Sequence, residues 1–130
     1  MSGHHFASLS RVGLAMALVC TVTPAIAKSR TDHLVASGKP VSCVQINSIR
    51  QTDVRNDRTI DFIMSGNRIY RNTLPHNCPS LGFERRFMYS TSLSQLCSVD
   101  IITVLYNSPN VMRGASCGLG EFQPMKKAAK

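Results

Sequence analysis

Thr59-Ile60-Asp61-Phe62-Ile63-Met64-Ser65-Gly66-Asn67-Arg68-Ile69-Tyr70-Arg71-Asn72-Thr73 is the stretch that decides the fold of this chain. Ile60, Phe62 and Met64 alternate with Asp61 and Ile63, the two-residue period that puts successive side chains on opposite faces of a strand. Ser65-Gly66-Asn67 supplies turn formers, and Ile69 and Tyr70 resume the apolar pattern beyond them. The spacing predicts a hairpin of about 59–64 with 68–73. One step upstream, Gln51 to Arg55 can pair back across Asn56-Asp57, a second turn-prone dipeptide.

Downstream, Leu74 to Ser80 holds two prolines and suits neither a central strand nor a helix interior. Arg86 to Thr91 again alternates, with Phe87 and Tyr89 set against Met88 and Ser90. Ser92 to Ser98 reads as a turn or a single helical turn. Val99 to Tyr106 is the strongest strand; both its faces are largely apolar, so it is expected to be central and covered on each side. Asn107 to Ser116 reads as a loop, and Cys117 to Gln123 as a last short strand with Leu119 and Phe122. These five to six strands predict an all-β domain, a small antiparallel barrel or sandwich stapled by disulfides. A mixed α+β domain, helical over 30–37 and 91–98, is the alternative.

The chain has 130 residues, 43% of them apolar, and a formal charge of +8. That length suits one domain; the composition excludes a disordered or collagen-like chain, and no internal repeat marks a solenoid. Residues 1–27 read as a signal peptide. Arg11 precedes the apolar run Val12 to Val22, then come Pro24 and the A-x-A site Ala25-Ile26-Ala27. The run is shorter than a spanning helix requires, so no transmembrane helix is expected in the mature chain. Val19 before Cys20 argues against lipidation, because a small residue is favoured there. Residues 28–42 read as a polar leader with a helical turn around Leu34, 43–124 as the β domain, and 125–130 as a basic tail.

Four cysteines remain after residue 27: Cys43, Cys78, Cys97 and Cys117. An even count in a small exported chain points to two disulfides and to a periplasmic or secreted location. There is no C-x-x-C pair and only His33 and His76 remain as histidines, so neither a metal nor another cofactor is expected. Of the three possible pairings the favoured one is Cys78–Cys97, closing a local loop, with Cys43–Cys117 joining the first and last strands of a closed or nearly closed barrel; Cys43–Cys78 with Cys97–Cys117, two consecutive loops, is the alternative.

The charge is unevenly spread. Between Cys43 and Pro124 eight arginines face six acids, whereas Lys28, Arg30, Lys39, Lys126, Lys127 and Lys130 at the two ends meet only Asp32. The expected contacts are therefore weak electrostatic ones with anionic envelope components through the basic tails, and no specific nucleic-acid site. His76, with Glu84 or Asp100 and a phosphate clamp from Arg85 and Arg86, would make a ribonuclease-like hydrolase. A solvated loop histidine and a structural Asp100 are the simpler uses of those residues. Gly118 and Gly120 read as bends or bulges, since no helix follows for a phosphate loop. The aromatics Phe62, Tyr70, Phe83, Phe87, Tyr89, Tyr106 and Phe122 are assigned mostly to the core.

Asp57-Arg58-Thr59-Ile60-Asp61-Phe62, Asn72-Thr73-Leu74-Pro75-His76-Asn77-Cys78-Pro79, Leu96-Cys97-Ser98-Val99-Asp100-Ile101-Ile102 and Cys117-Gly118-Leu119-Gly120-Glu121-Phe122 follow one another in that order. The set resembles a family of small exported Gram-negative bacterial proteins of unknown function, over about Cys43 to Pro124. The resemblance implies an exported domain with cysteines at these positions, and it brings no catalytic residue. The expected function is non-catalytic binding or an envelope-associated role; the alternative is a small basic secreted hydrolase acting on an anionic polymer.

Overall fold

The expected hairpin forms. Residues 59–64 pair antiparallel with 69–73, Phe62 standing opposite Tyr70 and Asp61 opposite Arg71. A computed structural model of the chain describes residues 33–107 and 109–129. The signal peptide expected over 1–27 lies outside the described residues. In chain order the strands are β1 (Leu34–Ala36), β2 (Cys43–Gln45), β3 (Ile49–Asn56), β4 (Thr59–Met64), β5 (Ile69–Thr73), β6 (Phe87–Tyr89), β7 (Gln95–Cys97), β8 (Ile101–Tyr106), β9 (Met112–Gly118) and β10 (Phe122–Lys127). A single α-helical turn, α1 (Leu81–Glu84), separates β5 from β6.

These strands make three antiparallel sheets: β1-β10-β5-β4-β3, β6-β8-β9, and the small pair β2-β7. The fold is all-β, and the sheets do not close into a barrel. The five- and three-stranded sheets turn their apolar faces to one core. Ile60, Phe62 and Met64 of β4 meet Ile102 and Val104 of β8 there, with Leu74, Leu81, Leu96 and Phe122 around them. The Phe62 ring lies edge-on to Phe122 at 5.4 Å and to Phe87 at 6.3 Å. Such ring pairs add ~1 kcal/mol each beyond the area they bury.

The other face of β4 carries charge. Asp61 lies between Asp53 on β3 and Arg71 on β5 in one cross-strand row. Arg71 grips both its oxygens, Nε to Oδ1 at 2.7 Å and the terminal guanidinium nitrogen to Oδ2 at 2.8 Å. Arg55 joins Asp61 at 3.2 Å and Asp53 at 3.1 Å. Two aspartates directly opposed on neighbouring strands would repel; the two arginines turn that row into a bonded network.

The disulfide pairing differs from the expected one. The bonds are Cys43–Cys97 and Cys78–Cys117, with Cα separations of 4.0 and 5.8 Å. Cys43 stands directly opposite Cys97 in the β2–β7 ladder, and Cys117 on β9 faces the core where Cys78 is buried. The expected Cys43–Cys117 bond assumed that the first and last strands meet in a closed barrel. Here β2 and β9 belong to different sheets.

The segment expected to be helical around 30–37 is strand β1 where it is described, and 95–97, inside the second expected helix, is strand β7. The leader and tail are both drawn into the fold: Leu34 pairs with Lys127 and Ala36 with Met125. The chain runs through Pro124 without leaving the sheet, and the Pro124 carbonyl accepts the Ser37 N–H at 2.8 Å. A proline lacks only its own donor, so a ladder position that needs just an acceptor tolerates it. Much of the expected loop 107–116 belongs to β9, and β8 is covered on one face alone, leaving Val99 and Ile101 exposed.

Candidate functional site

The turn between β3 and β4 grips the proline-rich segment that leads into α1. The Asp57 carbonyl accepts the Cys78 N–H at 2.7 Å, and the Asp57 carboxylate accepts the Gly82 N–H at 2.6 Å. Arg58 donates through its side chain to the carbonyls of Leu74 and Pro75. Leu81 is fully buried, and a side chain at Gly82 would sit 3.0 Å from the backbone of Asn56 and Asp57, so the helix lies flush on the turn. The disulfide Cys78–Cys117 fastens the same segment to β9.

Both ends of α1 take the left-handed conformation without glycine: Ser80 at φ 65° and Arg85 at φ 53°. Each such residue costs on the order of 1 kcal/mol and persists only where its surroundings hold it. What this anchoring presents is Phe83, 87% exposed. Across an open cleft of about 400 Å³, Phe83 and Glu84 face Tyr106, Asn107 and Met112. The Tyr106 ring lies over Gly114, where a Cβ would collide with it, so the β9 backbone forms its seat. Between Thr103 and Leu105 the β8–β9 register shifts by one residue. Beyond that bulge, Met112 faces Tyr106, and Val111 projects from the adjoining loop.

Three arginines border this apolar end. Arg85 follows α1 directly. The Arg86 carbonyl accepts the Leu105 N–H at 3.0 Å, and Arg113 stands opposite Leu105 on the other side. Arg86, Leu105 and Arg113 therefore form one row on the outer face of the three-stranded sheet, the face opposite the one that carries Val104, Tyr106 and Met112. No acidic side chain pairs with any of these arginines among the described residues.

The residues singled out from sequence are dispersed. Of the hydrolase set, only Glu84 lines the cleft. His76 is exposed and makes no hydrogen bond or ion pair among the described residues. Asp100 closes the turn into β8, its Oδ2 accepting the Cys97 N–H at 2.6 Å. Gly120 lies against the Thr73 carbonyl, where a side chain would collide. Among the described residues no three His, Cys, Asp or Glu side chains group as metal ligands, and no helix is long and apolar enough to cross a membrane. Phe83 is the aromatic that leaves the core, and Tyr106 is only half-buried at the cleft. Sequence reasoning missed this cluster, although Phe83 beside Glu84-Arg85-Arg86, and Val111-Met112 after Pro109-Asn110, are apolar residues inside polar loop text. Comparison of the chain with family models, curated proteins and solved structures finds no match.

Proposed function

We propose that the protein is an exported, non-catalytic binding domain of the bacterial envelope whose contact surface is the end of the fold around Phe83, Tyr106 and Met112. The observation that carries this reading is the exposure of Phe83 on a helix held by Asp57, Leu81 and a disulfide. Strained backbone kept in place to hold an aromatic ring in water fits a surface selected for contact, because stability alone favours its burial. Two disulfides suit an oxidising compartment, and the A-x-A site after the run Val12 to Val22 supports passage there.

Site-specific photocrosslinking in the native host tests the contact surface. A photoreactive residue in place of Phe83 is expected to give discrete adducts that the same residue at exposed Asn47 does not. Absence of adducts at position 83, or the same adducts at both positions, overturns the reading.

A further inference from the structure

The partner at this end of the fold can be specified further, on the reading above that it is a contact surface. Phe83, Val111 and Met112 are 87%, 67% and 52% exposed. Phe83 and Met112 line the open cleft, and Val111 stands beside Met112 in the adjoining loop. Arg85 lies two residues from Phe83, Arg113 directly after Met112, and Arg86 in the same row as Arg113. Glu84 is the one acid lining the cleft and is half-buried, whereas Arg85, Arg86 and Arg113 are all exposed. Apolar tips bordered by cations match one surface in particular: a bilayer, whose hydrocarbon begins just beneath a layer of phosphates.

We infer that this end of the fold docks on a membrane rich in anionic lipid, with Phe83, Val111 and Met112 entering the interface and Arg85, Arg86 and Arg113 meeting lipid phosphates. Arginine suits the second task because its planar fork pairs two donors with phosphate oxygens. A shallow insertion of this kind needs no spanning segment and is reversible. It is also distinct from adhesion through the chain ends. Lys126 and Lys127 sit on β10, toward the β1 edge of the five-stranded sheet, whereas α1 packs against β3 at the opposite edge.

Vesicle flotation tests the proposal, using the protein purified from the compartment where it resides. Every variant is matched to wild type for its N-terminus, so residues 12–22 contribute equally if they are present. The wild type is expected to float with phosphatidylglycerol–phosphatidylcholine vesicles and far less with phosphatidylcholine alone. Phe83→Ser is expected to lower partitioning about tenfold or more, the effect of withdrawing one large apolar side chain from the interface. Arg85→Gln with Arg113→Gln is expected to lower it by about fivefold per arginine. Lys126→Gln with Lys127→Gln should leave it nearly unchanged. Near-ultraviolet circular dichroism establishes that each variant keeps its fold.

Failure of the wild type to float overturns the inference. So does flotation that survives Phe83→Ser but is lost with the two lysines. If no vesicle is bound while position 83 still crosslinks to a protein, the lipid inference falls and the contact surface stands. If neither occurs, both fall.

Discussion

The Asn72 side chain completes a ladder that the backbone leaves open. Its amide nitrogen donates to the Gly120 carbonyl at 2.6 Å, and its Oδ1 accepts the Gly120 N–H at 2.9 Å. Asn72 also stands opposite Phe122 in the β5–β10 register, so one fully buried side chain carries the pairing past the end of β10.

Asn72→Ala is therefore expected to cost about 2–4 kcal/mol, since it strands a buried donor and a buried acceptor together. Gly120→Ala should destabilise comparably, because its methyl group would run into the Thr73 carbonyl. Urea unfolding of each variant checks both values. A loss under about 0.5 kcal/mol for Asn72→Ala would mean that water replaces the clamp.

The charged row on the outer face of the large sheet should be asymmetric in its effect. Asp61 has a side chain only 4% exposed and binds both Arg55 and Arg71, whereas the Asp53 side chain is 29% exposed and meets Arg55 alone. Asp61→Ala removes the buried acceptor that Arg55 and Arg71 share and is expected to cost about 2–3 kcal/mol. Asp53→Ala is expected to cost about 0.5–1 kcal/mol. Denaturant midpoints for the two variants give the comparison, and equal losses would show that burial does not set the order.

The two disulfides should open in sequence. Cys43 and Cys97 are half-buried, while Cys78 is fully enclosed by the core. Thiol exchange requires access to sulfur, so a reductant acting on the native protein should expose Cys43 and Cys97 to alkylation first. Non-reducing peptide mapping is expected to recover Cys43 joined to Cys97 and Cys78 joined to Cys117. Earlier labelling of Cys78 would reverse the order argued from burial.

Stability and contact should separate at α1. Phe83→Ser removes a side chain that packs on little and should shift stability by less than about 0.5 kcal/mol while weakening contact at this surface. Asp57→Ala removes the acceptor for the Gly82 N–H and should cost about 1–3 kcal/mol, with α1 losing protection from hydrogen exchange before the central strands do. Exchange measured by mass spectrometry resolves the two effects.

Maturation gives a simpler test. Cleavage after Ala27 predicts a protein that begins at Lys28 and carries no lipid. Intact mass decides it, and a diacylglyceryl adduct on Cys20 would show a lipoprotein instead.

Local signals were legible in the sequence and distant ones were not. The hairpin around Ser65-Gly66-Asn67 could be read almost to the residue, because alternation and turn chemistry act within fifteen positions. The β3–β4 pairing across Asn56-Asp57 was legible for the same reason. The β2–β7 ladder joins Cys43 to Cys97 across 54 residues, and nothing near either cysteine encodes that register. Strand β1 owes its conformation to β10 more than to the polar sequence around Leu34. Pro124 hid the continuation of β10, since the partner that makes a proline harmless there lies far upstream at Ser37. The candidate site was illegible for a related reason. Phe83 is apolar and sits near alternating strands, and the contacts that hold α1 with Phe83 outward, from Asp57, buried Leu81 and Cys117, come from residues its own neighbourhood does not predict.

The pairing of Leu34 with Lys127, continued by the Ala128 N–H donating to the His33 carbonyl, makes the described chain almost a closed ring. Its two ends lie side by side at one corner of the large sheet, on adjacent strands. A short linker joining them would complete the circle with little strain, and the circle could be reopened at the exposed Gly66-Asn67 turn. Such a permutant would keep every sheet neighbour and both disulfides while changing the order in which the strands leave the ribosome. The architecture thus belongs to the cyclic sequence of its strands more than to the place where translation starts.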